Sequence, residues 1–88
     1  MISREKIHKI LTLVLEISER GEGENGYPYI SFEISNLGHR ASLYAMKDGF
    51  STARDYEINM LFDSDSEADR AIKKLKKLLK IAVDRIEE

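Results

Sequence analysis

The chain has no cysteine, no tryptophan and a single proline among its 88 residues. Without cysteine there can be no disulfide framework, no thiolate zinc site and no cysteine nucleophile. A secreted domain of this size ordinarily needs covalent staples, so a cytoplasmic setting is expected. Apolar runs are short as well: Leu13-Val14-Leu15 falls far below the ~20 residues that cross a bilayer, so no membrane partner is expected. The opening residues, Met1 to Lys6, are polar and lack the apolar core and small-residue cleavage site of a signal peptide. Nor is there a strong excess of one charge. The formal net charge of −2 gives no overall attraction to nucleic acid.

Catalytic and metal signatures are equally sparse. His8 and His39 lie on different expected elements, and no H-x-x-x-H pair supplies convergent ligands. No serine stands in a G-x-S-x-G context. The segment Gly21 to Gly26 has three glycines, but it follows a helix and carries Glu22 and Glu24. Phosphate loops follow strands and avoid such charge, so phosphate binding is not expected there. We assign no catalytic residue, no metal ligand and no cofactor, and the chain reads as non-enzymatic. His39, after Gly38 at the start of a strand, reads as a structural, hydrogen-bonded histidine.

What is present is periodicity. Apolar residues at 42% and charged residues at 34% fit one globular domain spanning 1–88. Ser3 can cap a helix, with Ile2 and Ile7 placed as a hydrophobic staple. Ile7, Ile10, Leu11, Val14 and Ile17 then follow helical spacing, flanked by Leu13 and Leu15, and Gly21 ends the helix. This stripe is wider than a two-layer domain must bury, so a homodimer through the first helix is expected. Tyr29 to Ser35 alternates, with Ile30, Phe32 and Ile34 on the inner face. A turn at Asn36-Leu37-Gly38 leads to a second strand, His39 to Lys47, with Ala41, Leu43 and Ala45 inward. A loop from Asp48 to Arg54 precedes a third strand, Asp55 to Phe62, with Tyr56, Ile58, Met60 and Phe62 inward.

Ser64 and Glu67 form a capping box for the last helix. That helix turns Ala68, Ala71, Ile72, Leu75, Leu78, Leu79, Ala82, Val83 and Ile86 inward. The expected fold is α+β in the order αβββα: a three-stranded antiparallel sheet with two helices on one face. The other face is left open.

Two surfaces then become candidate binding sites. The open sheet face carries Tyr29, Tyr44 and Met46, and the following loop adds Phe50 and Arg54, residue types favoured at protein interfaces. The last helix gathers Arg70, Lys73, Lys74, Lys76, Lys77 and Lys80 opposite its leucines, a candidate anion-binding face. The plainer reading of those lysines is a solvated surface, partly neutralised by an i, i+4 pair between Asp69 and Lys73. Helix–three strands–helix is also the order of the double-stranded-RNA-binding domain. That domain grips phosphate with the start of its last helix, where this chain has Asp65, Glu67 and Asp69.

The segment Phe32-Glu33-Ile34-Ser35-Asn36-Leu37-Gly38-His39, followed by an alternating strand and Gly49-Phe50, resembles a group of short, mostly uncharacterised proteins from phages and prophages of low-GC Gram-positive bacteria. Their first helix is similar to Glu5-Lys6-Ile7-His8-Lys9-Ile10-Leu11, and Phe50 stands where they carry tryptophan. The resemblance covers most of the chain and implies a mobile-element setting in a bacterial host cell. It assigns no functional residue. Small phage proteins often bind and block host proteins, so the resemblance implies an inhibitor of a host protein, such as an anti-CRISPR type inhibitor of a defence nuclease. A nucleic-acid-binding module using the lysine face is the alternative.

Overall fold

The computed structural model describes residues 1–24 and 26–87, with the backbone alone for 85–87. Its elements are α1 (Arg4–Ser18), β1 (Tyr29–Ser35), β2 (Arg40–Met46), β3 (Ile58–Phe62) and α2 (Asp65–Glu87). A short 3₁₀ turn, Leu37–His39, joins β1 to β2. The strands form one antiparallel sheet in the order β1-β2-β3, so the α+β reading and the αβββα order both hold. In register, Phe32 faces Leu43 across β1 and β2, and Leu43 faces Met60 across β2 and β3.

Both helix starts are fixed by hydroxyl caps. Ser3 Oγ accepts from the Lys6 N–H, and the Ser3 N–H donates to Asp65 Oδ1 at 2.7 Å, which ties the two helix starts together. At α2 the Glu67 N–H donates to Ser64 Oγ, and the Ser64 hydroxyl donates to Glu67 Oε1 at 2.9 Å. The expected capping box therefore forms, with its return bond made to the side chain of Ser64. At its other end α1 stops at Ser18, earlier than Gly21 would require. Gly21 serves a packing need instead, because a Cβ there would lie 2.5 Å from the Tyr27 side chain.

The core lies between the helices and the inner sheet face. Ile10, Val14 and Ile17 of α1 meet Ala41, Leu43, Ala45, Ile58 and Phe62 of the sheet, and Ala68, Ala71, Leu75 and Leu78 of α2. Ile7, Leu13, Ile30, Phe32, Met60, Ile72 and Leu79 pack around it, half-buried. Ile86, expected inward, has a side chain outside the described residues. Leu11 departs from expectation: α1 turns Leu13 rather than Leu11 toward the core, leaving Leu11 and Leu15 on the outside.

Two further corrections concern the strands. Ile34 sits on the inner side of β1, yet it is 57% exposed, because the alternation that aims it inward supplies nothing to cover it. The third strand begins at Ile58, not Asp55. The Glu57 N–H still donates to Ala45 O at 3.0 Å, but the Glu57 carboxylate then turns back to accept from the Lys47 N–H at 3.2 Å. A side chain thus takes the place of the next ladder bond. Tyr56 is released from the inner face it was expected to occupy.

Candidate functional site: an aromatic patch on the open sheet face

Strand alternation places Tyr29 and Tyr44 on the face away from the helices, because each is offset by one residue from an inward neighbour. Tyr56 swings over the same face once the chain leaves the ladder. Its ring centroid lies 5.3 Å from that of Tyr44 and 6.5 Å from that of Tyr29. Phe50 completes the group edge-on to Tyr29, with centroids 5.1 Å apart. Four rings from two strands and one loop therefore form a continuous patch. Such geometry is worth about 0.5–1.5 kcal/mol per pair beyond simple burial.

The loop between β2 and β3 is built to hold Phe50 in place. Its N–H donates to Gly23 O at 2.8 Å, so the segment after α1 anchors the loop from outside. Gly23 takes φ +76°, a conformation that side chains disfavour, and it lies beside Tyr29. Arg54 closes the loop from within: Nη2 donates to Gly49 O at 3.0 Å, and Nη1 lies 3.5 Å from Asp48 Oδ2. Arg54, expected as a contact residue, thus also braces the loop. Met46 is corrected outright. It is on the open face by alternation but only 2% exposed, because the loop folds over it and the Ser51 N–H points at its Sδ from 3.4 Å. It is the floor of the patch, not part of its surface.

Tyr29 and Tyr44 share the open face, Phe50, read as a separate loop tip, packs onto Tyr29, and Tyr56 joins them unforeseen. The signal for Tyr56 was faint. Asp55, a poor strand former, stands just before it and marks where the ladder stops.

The second candidate surface lies on the other side of the molecule. Arg70, Lys73, Lys74, Lys76, Lys77 and Lys80 are all exposed on α2. The expected Asp69–Lys73 pair does not form. Asp69 turns instead to Lys6 of α1, whose ammonium is held above its usual pKa chiefly by the hydrogen bond to that carboxylate. Among the described residues, none of the five lysines of α2 makes an ion pair. Lys76 stands apart from the stripe, lining a groove between the helices with Glu5, His8 and Lys9.

The histidines stay far apart. His8 lines that interhelical groove, and His39 lies exposed in the 3₁₀ turn with φ +50°. His39 was expected to be held by its side chain; its backbone N–H, donating to Asn36 O at 3.4 Å, makes the contact instead. No group of three or more metal-binding side chains converges among the described residues, and no described helix is long and apolar enough to cross a membrane. No family model, curated protein or solved structure matches the chain.

Proposed function

We propose that this protein is a non-enzymatic binding module that engages a host protein through the aromatic patch and inhibits it, with a bacterial defence nuclease as the target class. The observation that carries the reading is the set of four rings, Tyr29, Tyr44, Phe50 and Tyr56, gathered on one face. Aromatic side chains offer large contact area with few rotatable bonds, so they dominate binding energy at protein interfaces. Phe50 is half-exposed and sits on a loop braced from two directions, an arrangement that lowers the ordering cost of binding. The phage and prophage resemblance supplies the inhibitory setting.

The test is a plasmid-interference assay in a host with an active CRISPR system, paired with affinity capture from the same cells. Wild-type protein should restore transformation by a targeted plasmid and retain one dominant host polypeptide. The double variant Phe50→Ser, Tyr56→Ser should do neither while keeping its far-UV circular dichroism. Equal activity of that variant would remove the patch from the account.

A second reading rests on the unpaired lysines of α2. With Asp69 drawn to Lys6, the stripe of Arg70, Lys73, Lys74, Lys77 and Lys80 keeps its charge for an external anion. If it serves nucleic acid, affinity must fall steeply with salt and vanish when Lys73, Lys77 and Lys80 become glutamate. The first reading is preferred. Asp84 and Ser66 share the outer face of α2, and the protein as a whole is net acidic.

A further inference from the structure

The turn end of the sheet holds a second recognition feature, unconnected to the aromatic patch. A cleft of about 250 Å³ opens there between the start of α1 and the β1–β2 turn. Its floor is apolar, made by Ile2, Ile7, Ala41 and the uncovered side chain of Ile34. Its rim carries Arg4, His39 and Arg40, and among the described residues no carboxylate lines it. Neither arginine makes an ion pair among the described residues. Asp63 lies beyond Arg40 in an adjoining groove and is not paired with it.

The turn positions one of these cations directly. Gly38 and His39 take φ +72° and +50°, two successive left-handed residues, the second of a type that tolerates this region better than most. The Arg40 side chain lies over Gly38, with its Nε 2.9 Å from where a Cβ would stand there.

We propose that this cleft binds the C-terminal carboxylate of a partner polypeptide ending in an apolar residue. The arginines match a carboxylate in charge and in planar hydrogen-bond geometry. The exposed Ile34 and its neighbours cover the terminal side chain. Asn36 and His39, also on the rim, offer hydrogen-bonding groups to the last peptide amide, a need that a fatty acid would not have. The site stands apart from the aromatic patch, which occupies the opposite face of the sheet about 10–17 Å along the strands.

Two N-acetylated tetrapeptides ending in leucine, one with a free carboxylate and one with a C-terminal amide, test this against ¹⁵N-labelled wild-type protein. The free acid should shift the amide resonances of Ile7, Ile34, His39, Arg40 and Ala41, and the capped peptide should bind roughly tenfold more weakly or worse, as a lost charge-assisted contact requires. Arg40→Gln should weaken the free acid and leave the capped peptide unchanged, whereas Ile34→Ser should weaken both. Because the acid and amide are compared on unmodified protein, a misfolded variant cannot decide the result. Equal binding of acid and amide, the absence of localised shifts at millimolar peptide, or octanoate binding as tightly as the free-acid peptide would each overturn the assignment.

Discussion

Lys6 Nζ lies 2.5 Å from Asp69 Oδ1, so one ion pair joins the first turn of α1 to the start of α2. The Ser3 N–H bond to Asp65 runs beside it and closes the same junction. The hydrogen bond to Asp69 raises the Lys6 pKa above its ordinary 10.5, with Coulombic help from Asp69, Asp65 and Glu5. A raised lysine stabilises the fold fully below its unfolded pKa and loses that contribution as pH climbs through the folded value. Thermal melts should therefore fall with pH above about 10.5, and the fall should be shallower in Lys6→Met than in wild type. Parallel curves for the two proteins would show that this junction does not depend on the charge.

Leu75 is fully buried at the centre of α2, and Leu61 is 57% exposed on the open face of β3. Urea denaturation should register the difference. Leu75→Ala is expected to cost about 2–5 kcal/mol through lost contacts and a residual cavity. Leu61→Ala should stay within about 0.5 kcal/mol. Similar midpoints for the two variants would contradict the packing described above.

The first helix, expected to pair two copies, now has most of its apolar surface accounted for. Ile10, Val14 and Ile17 are buried within the molecule, and Ile7 and Leu13 pack beside them. Leu11 and Leu15 remain outside, 41% and 50% exposed. Two leucines fall well short of the roughly 800 Å² per partner that a stable interface buries. Sedimentation equilibrium should then return a monomer at high micromolar concentration. A dimer that Leu15→Glu dissolves would restore the pairing role of α1.

Phe50 offers a direct spectroscopic handle, since the chain contains no tryptophan. Half-exposed and edge-on to Tyr29, the site has room for a larger ring on its solvent side. Phe50→Trp should keep stability within about 1 kcal/mol. Its emission should lie between those of buried and free tryptophan, with energy transfer from Tyr29 on excitation of tyrosine. A partner docking on the patch should shift that emission to the blue. Emission identical to free tryptophan would mean that the loop does not hold Phe50 against the sheet.

The sequence was most informative where one rule governed a residue, and least where a neighbour in space intervened. Period-2 spacing located β1 at Tyr29–Ser35 and aimed Ile34 inward, but no spacing reports whether another element reaches over it. The same spacing set Met46 outward, and only the loop that folds back from Asp48 buries it. Tyr56, Ile58, Met60 and Phe62 alternate without a break. The break in the ladder comes from the Glu57 carboxylate capturing the Lys47 N–H, a side-chain event invisible to hydrophobic pattern. Asp69 likewise had a good partner four residues on and chose one on another helix. Three of the four rings of the patch were legible because alternation and loop composition exposed them. The fourth depended on where a strand ended.

The Phe50 N–H bond to Gly23 O joins two irregular segments that share no ladder or helix. Its consequence is kinetic. The segment after α1 and the loop after β2 form one opening unit, since releasing either removes the other's anchor. Amide exchange should thus show one common protection level for Phe50 and for Tyr27, whose N–H donates to Glu24 O in the segment after α1. A protease nick near Gly23 should quicken exchange at Phe50, more than twenty residues along the chain. Such coupling makes the segment that leaves α1 a control point for the patch, and loosening at Gly21 would be felt first as softening of the rings.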